Sequence, residues 1–262
     1  DGKKPNSSAG IRFFSDEHFP KSMLADYRVN QTLLESKTPT GPMRAPVSNT
    51  FAFAEQSFLH ELALANDRDH VEFLVESMGE RRWTEPGNAW SINSGRAIDT
   101  IRQVADNAGW GRKLPQGTAL GLSFYFSHAG HVAEIAEVSV DADKKVDIHR
   151  VWVVADIGLV VNRSGAENQC QGSVIDAIGT LAKQSIRVKD GAVQETNLHQ
   201  HPLARIDQRP QIDVQFMQTD YPPTGMGEPA MPPLAAAVCN AIFSVTGERI
   251  RNLPISRQGF RV

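Results

Sequence analysis

Nine residues, Gly225-Met-Gly-Glu-Pro-Ala-Met-Pro-Pro233, constrain the fold more tightly than any other stretch of the chain, because they leave the backbone few choices and fix where one carboxylate must sit. Gly225 and Gly227 carry no Cβ, so the chain there can take positive φ or admit a bulky group to contact distance. Pro229 pushes Glu228 towards an extended conformation, and Pro232 or Pro233 can open a helix without wasting an amide donor. The helix predicted to follow runs from Leu234 to Val245. Glu228 is thereby held beside a helix N-terminus, where free amides favour an anion. Taken alone, the loop also reads more plainly, as a Gly/Pro helix start in which Glu228 complements the helix dipole.

At 262 residues the chain can bury a substantial core, as one large domain or two small ones. With 40% apolar and 22% charged residues it has the composition of a globular protein. A net charge of −3 gives no electrostatic reason to expect nucleic acid or an anionic membrane surface, and a small-molecule site is expected instead. No apolar run approaches the roughly 18 residues that span a bilayer, and no basic start with an apolar core marks an export signal. Cys170 and Cys239 are the two cysteines, without CxxC spacing. Neither an iron–sulfur cluster nor a cysteine-held zinc within this chain is expected, and both residues read as buried thiols.

Periodicity divides the chain into a helix-rich portion, 1–116, carrying Arg44, and a β-rich portion, 117–262, with the composition shift at Pro115–Gly117. Asp1–Ser8 reads as a frayed end or the scar of a cut in a longer chain. Tyr27–Glu35 alternates like a strand, and Thr38–Pro46 breaks regular structure. Phe51, Ala54, Phe58, Leu62 and Ala65 predict an amphipathic helix from Ser48 to about Ala65. Helices over Val71–Met78, capped near Asp69, and Ala97–Asn107, ending at Gly109, follow. Ala119–Phe126, Val132–Val140 and Val146–Val154 are strand-like, with a hairpin turn at Asp141–Lys145. Ala166–Gln184 predicts a long helix in which Gly172 and Gly179 each cost about 1 kcal/mol relative to alanine, so each should have a close neighbour. A strand after Lys189-Asp-Gly-Ala and another over Ile212–Met217 complete an α+β fold of mixed sheet and packed helices.

His128 with His131, and His199 with His201, have metal-like spacing but lack a third ligand nearby, and no protein-held metal is expected. Asp141 and Asp143 read as a solvated turn. GxSxG, Walker-type and GxGxxG loops are absent. Three loops remain that folding alone does not explain: Gly41-Pro-Met-Arg-Ala-Pro46, Asn162–Gln171, and Gly225–Pro233. Each brings free backbone donors or glycine access to a helix start, and Arg44 and Gln169 add side chains suited to an anion. A surface salt bridge for Arg44 and a capping amide for Gln169 are the simpler roles of each residue singly. Together the three loops could surround one extended phosphate-bearing cofactor.

The order of these loops resembles a known family. Asp156-Ile-Gly, Val161-Asn162, Gln169-Cys-Gln-Gly172, Ile178-Gly179, Gln194-Glu-Thr-Asn197 and Gly225-Met-Gly-Glu228-Pro look like the C-terminal part of the molybdopterin-binding large subunit of the xanthine oxidase and aldehyde oxidoreductase family, of the isoquinoline 1-oxidoreductase beta-subunit type. Gly41-Pro-Met-Arg-Ala-Pro and Phe53-Ala-Glu-Gln-Ser-Phe-Leu-His-Glu-Leu-Ala fit the same subunit upstream. The chain departs from the pattern at Arg163, Gln171 and Val47, where relatives often have proline, glutamate and glycine.

The resemblance implies oxidation of an aldehyde or an N-heteroaromatic carbon with oxygen from water. Glu228 would be the general base, made more basic by burial beside Met226 and Met231. It implies molybdopterin with molybdenum, expected in the cytosine dinucleotide form, approached by Gln169, Gly172, Gly225, Met226, Gly227 and Arg44. It further implies partner chains that supply the remaining half of the molybdopterin subunit and the [2Fe–2S] clusters, with activity only in their company. Exported relatives make the periplasm the expected compartment. A catalytically silent assembly module of the same fold is the alternative.

Overall fold

Every strand of the central sheet except its edge carries apolar residues on both faces, and the sheet is accordingly covered on both. The computed structural model describes residues 23–28, 30 and 41–262. The expected strand over Tyr27–Glu35 and the polar start therefore lie largely outside the described residues. The helices are α1 (Ser48–Ala65), α2 (His70–Ser77), α3 (Ser94–Ala108), α4 (Arg163–Ala182) and α5 (Pro232–Thr246). The strands are β1 (Thr118–Ser127), β2 (Gly130–Val140), β3 (Val146–Asp156), β4 (Val188–Lys189), β5 (Ala192–Val193) and β6 (Gln211–Phe216). The four-stranded sheet runs β1-β2-β3-β6, with β1–β2 and β2–β3 antiparallel and β3–β6 parallel. The parallel pair is possible because α4 and the segment after it carry the chain back between them.

Phe124, Phe126, Ile135, Trp152 and Val154 pack with Leu74, Ile101 and Val104 of α2 and α3 on one face. Val132, Ala136, Val151 and Val153 pack with Val174, Ile178, Leu234 and Val238 of α4 and α5 on the other. α5 is apolar all round and buried along Pro232–Ile242, as a helix enclosed by a core must be. It lies against β1 at Gly121, where a Cβ would come within 2.1 Å of the Ala237 carbonyl oxygen.

Local signals account for most of the helix ends. Asp69 caps α2 by accepting from the Val71 and Glu72 amides, and Gly109 ends α3 at φ 62°. α3 begins at Ser94, three residues before the expected Ala97, because the Asn93 side chain accepts from the Arg96 amide and so starts the helix earlier than the apolar pattern does. The expected strand after Lys189 is only the two-residue partner in an exposed hairpin, with no core to extend against. Among the described residues no helix is long and apolar enough to cross a membrane. Cys170 and Cys239 are both buried and free.

Candidate functional site

Of the three stretches singled out in the sequence, Gly41–Pro46 and Gly225–Pro233 lead into helices, whereas Asn162–Gln171 is itself helical from Arg163, because the Asn162 side chain accepts from the Gly165 amide and starts α4 three residues before the expected Ala166. The Arg44 side chain joins all three. Its Nε donates to the Gly227 carbonyl at 2.6 Å and its Nη1 to Asp176 Oδ2 at 2.7 Å. Its Nη2 donates to the carbonyl and to Oε1 of Gln169, at 3.1 and 2.9 Å. Gln169, Gly172 and Asp176 stand at i, i+3 and i+7 and so share one face of α4, along which the guanidinium lies. The guanidinium passes over Gly172, where a Cβ would meet Nη1 at 3.4 Å, an ordinary contact distance that does not by itself demand glycine. Arg44, expected to face an anion, therefore spends most of its donors inside the protein. Sequence reasoning misses Asp176, although its helical spacing from Gln169 is the signal that could find it.

The backbone beside Arg44 is strained. Ala45 has φ 54°, and Val47, at φ 67° and ψ −55° with the Ser48 amide donating to the Pro46 carbonyl at 2.8 Å, forms a positive-φ γ-turn. Such turns are rare even for glycine and costly for a β-branched residue. This bend turns the Ala45 amide onto Glu228 Oε1 at 3.0 Å. The other carboxylate oxygen, Oε2, lies 2.7 Å from His128 Nε2. Glu228 is thus gripped from two sides. Its side chain nonetheless remains 36% exposed, so the expected burial is not supplied here. Met226 and Met231 instead belong to the core on the α4–α5 face.

His128 comes from the two-residue turn between β1 and β2, where His128 and Ala129 both take positive φ, 52° and 60°. His131 goes elsewhere. It is fully buried on β2, its Nε2 accepts from the Asn93 amide at 2.9 Å, and burial with the nearby Arg96 charge pushes its pKa down to about 3. The two histidines, spaced like metal ligands, thus serve different neighbours. At the end of β3, Arg96 grips Asp156 through Nε and Nη2, each at 2.7 Å, in a buried pair. Burial pushes the Asp156 carboxyl up, but the bonds from Arg96, the Gly158 amide and the Thr219 hydroxyl outweigh it and hold the carboxyl below its ordinary range. Gly158 cannot carry a side chain, because a Cβ would come within 2.2 Å of the Pro222 carbonyl oxygen.

Beside Glu228 opens a cavity of about 480 Å³, whose lining includes Trp83, Trp90, Arg96, His128, Tyr221 and Gly225. That volume and its aromatic walls suit a small organic molecule. The Arg96 guanidinium stacks 4.3 Å from the Tyr221 ring centre, and Trp83 meets the same ring edge-on at 5.7 Å.

The glycines of the loop have no reason internal to the described residues. Neither Gly225 nor Gly227 has positive φ. A Cβ at Gly225 would meet nothing within 4 Å, and one at Gly227 only Gln169 Oε1 at 4.0 Å. Their bareness leaves space for a large group lying against the ribbon, beside Gln169, whose Oε1 is taken by Arg44 and whose amide nitrogen has no partner among the described residues.

A family model described as the molybdopterin cofactor-binding domain matches residues 68–210, more than half of the chain. The chain belongs to this family. The domain is 28% identical over 207 residues to the beta chain of isoquinoline 1-oxidoreductase from Brevundimonas diminuta, covering 78% of the chain and 25% of that protein. It is also 28% identical over 258 residues to one of the subunits of nicotinate dehydrogenase from Pseudomonas putida, covering 90% of the chain and 21% of that protein. The chain therefore spans only a fifth to a quarter of these relatives. Its fold is similar to that of the aldehyde oxidoreductase from Desulfovibrio gigas, with a TM-score of 0.62 over 81% of the chain and 40% of that structure at 14% identity. The domain is part of the molybdenum-binding subunits of the xanthine oxidase family, and its fold is the expected α+β class.

Proposed function

We propose that the domain forms one wall of a molybdenum hydroxylase active site in which Glu228 is the general base for oxidation of an aldehyde or N-heteroaromatic carbon, with water as the oxygen source. The observation that carries this reading is the placement of Glu228: an anchored, part-exposed carboxylate that follows a bare glycine ribbon and touches His128, which with Gly225 lines the aromatic-walled cavity. Gly225, Gly227 and the Gln169 amide would lie against the cofactor, in its cytosine dinucleotide form, while Arg44, lying over Gly172, holds these segments together. When bound, the cofactor supplies the oxidising chemistry and takes up the electrons. What this chain contributes is proton removal and orientation. The Ala45 amide and His128 fix both oxygens of Glu228, so a substrate in the cavity meets a carboxylate whose direction is set before it arrives. Partner chains would complete the cofactor enclosure and carry [2Fe–2S] clusters for electron removal.

In the assembled complex, Glu228→Gln should lower kcat by at least about 100-fold, as expected for loss of a general base. Molybdenum content should stay unchanged, and product formed in ¹⁸O-labelled water by the unsubstituted complex should carry the label. Turnover that survives Glu228→Gln would sink the assignment and favour a silent assembly module.

A further inference from the structure

We propose that His128 is a positioning residue that aims the Glu228 carboxylate at the aromatic-walled cavity, an inference that rests on the reading of Glu228 as the base. Four observations meet at this point. His128 Nε2 is 2.7 Å from Glu228 Oε2, while the Ala45 amide holds Oε1 at 3.0 Å. With only one of these partners the carboxylate could rotate about its last torsion, and with both it has one orientation. His128 also lines the cavity, so the residue in contact with Glu228 is itself part of the wall a substrate would meet. The turn that presents it is made from two residues with positive φ, His128 and Ala129, where glycine or asparagine would be the unstrained choice. The third observation is thus a local cost borne by the residue in contact with Glu228, the pattern found where a side chain must be delivered to a site. Finally, the residue after the turn, Gly130, lets the Pro229 ring close to within 3.2 Å of where its Cβ would be. One hairpin tip therefore seats both members of the Glu228-Pro229 pair.

Apart from Glu228 nothing competes for the ring, since His128 Nδ1 has no hydrogen-bond partner among the described residues. The contact needs a donor at the Nε2 position, which a glutamine amide can also supply. The test uses the assembled, cofactor-loaded complex with His128→Ala, His128→Gln and Glu228→Gln side by side. His128→Ala should lower kcat by about 10- to 100-fold, the range seen when the groups that orient a functional side chain are removed. KM should change little, and His128→Gln should recover most of the loss. A crystal structure of the His128→Ala complex should show the Glu228 carboxylate turned away from the Ala45 amide or split between orientations, at full molybdenum occupancy. If Glu228 stays in place in that structure, or if His128→Gln is as impaired as His128→Ala, the positioning role is overturned. If His128→Ala is silent while Glu228→Gln is dead, the base assignment stands and this inference alone falls; a live Glu228→Gln removes the base assignment itself.

Discussion

At the scale of single residues, the site is held by groups that do two things at once. Arg44 ties α4 to the Gly225–Glu228 loop through four acceptors, and a lysine in its place could satisfy only one or two of them. Arg44→Lys should therefore lower stability by about 2 kcal/mol, the scale of losing charged hydrogen bonds, and reduce cofactor retention; thermal unfolding and molybdenum analysis would check both. Val47 makes the opposite case. It holds φ 67°, in the region that favours glycine, so Val47→Gly should relieve strain and be neutral or stabilising by up to about 1 kcal/mol in thermal unfolding. A β-branched residue replaced by glycine usually loses stability, so a clear drop in melting temperature would mean that Val47 packing outweighs its backbone strain. The buried Arg96–Asp156 pair is a third kind of residue. Removing one partner as Asp156→Ala leaves a buried charge and should cost about 3–5 kcal/mol in denaturant unfolding.

At the scale of elements, close approach decides which glycines matter. Gly121 lets α5 lie directly on β1, and Gly121→Val would drive its side chain into the Ala237 carbonyl and the Ala241 amide, 2.1 and 2.4 Å from the Cβ position. The helix would have to move, and with it the loop that ends at its first turn. Loss of soluble, cofactor-loaded protein is the expected outcome, measured by expression yield and molybdenum content, whereas Gly225→Ala should leave folding intact because nothing surrounds its Cβ position. The β1–β2 hairpin, the Asp156-Ile157-Gly158 strand end and the N-terminal end of α5 are thus one mechanical unit. The Thr224 amide bonded to the Ile157 carbonyl at 2.9 Å and the Leu159 amide bonded to the Tyr221 carbonyl at 2.9 Å fasten the strand end to the loop.

At the scale of the whole molecule, buried carboxyls set the response to pH. Burial raises the Glu55 pKa from 4.5 to about 8, against the lowering effect of the Tyr125 hydroxyl, and burial raises that of Glu134 well above its ordinary value. A native carboxyl that keeps its proton while the unfolded chain loses it gives stability that is fully present below pH 4.5 and is lost as pH rises through about 8. Asp156 works the other way, its contribution being present above the ordinary 3.8 and lost as pH falls through its lowered native value. Glu55→Gln should therefore flatten the decline of melting temperature between pH 4.5 and about 8, and an unchanged slope would mean that Glu55 is not protonated in the native state.

The sequence by itself determined the elements and the loops that matter. Period and capping residues located helices and strands to within a few residues, because those signals are local. Likewise Gly/Pro chemistry marked the Glu228 loop, and loop order carried the family resemblance. What it could not contain is who faces whom. Arg44 and Gly227 are 183 residues apart, as are Ala45 and Glu228, and only the packing of α1 and α4 around α5 turns an arginine expected to meet an anion into a clamp. His128 and His131, three apart, look like a pair in sequence, yet the hairpin turn sends one to Glu228 and the other to the α3 cap. Positive φ at Val47 and His128 is equally invisible in sequence, since neither residue type asks for it; tertiary contacts impose it, and it is there that the fold positions the carboxylate.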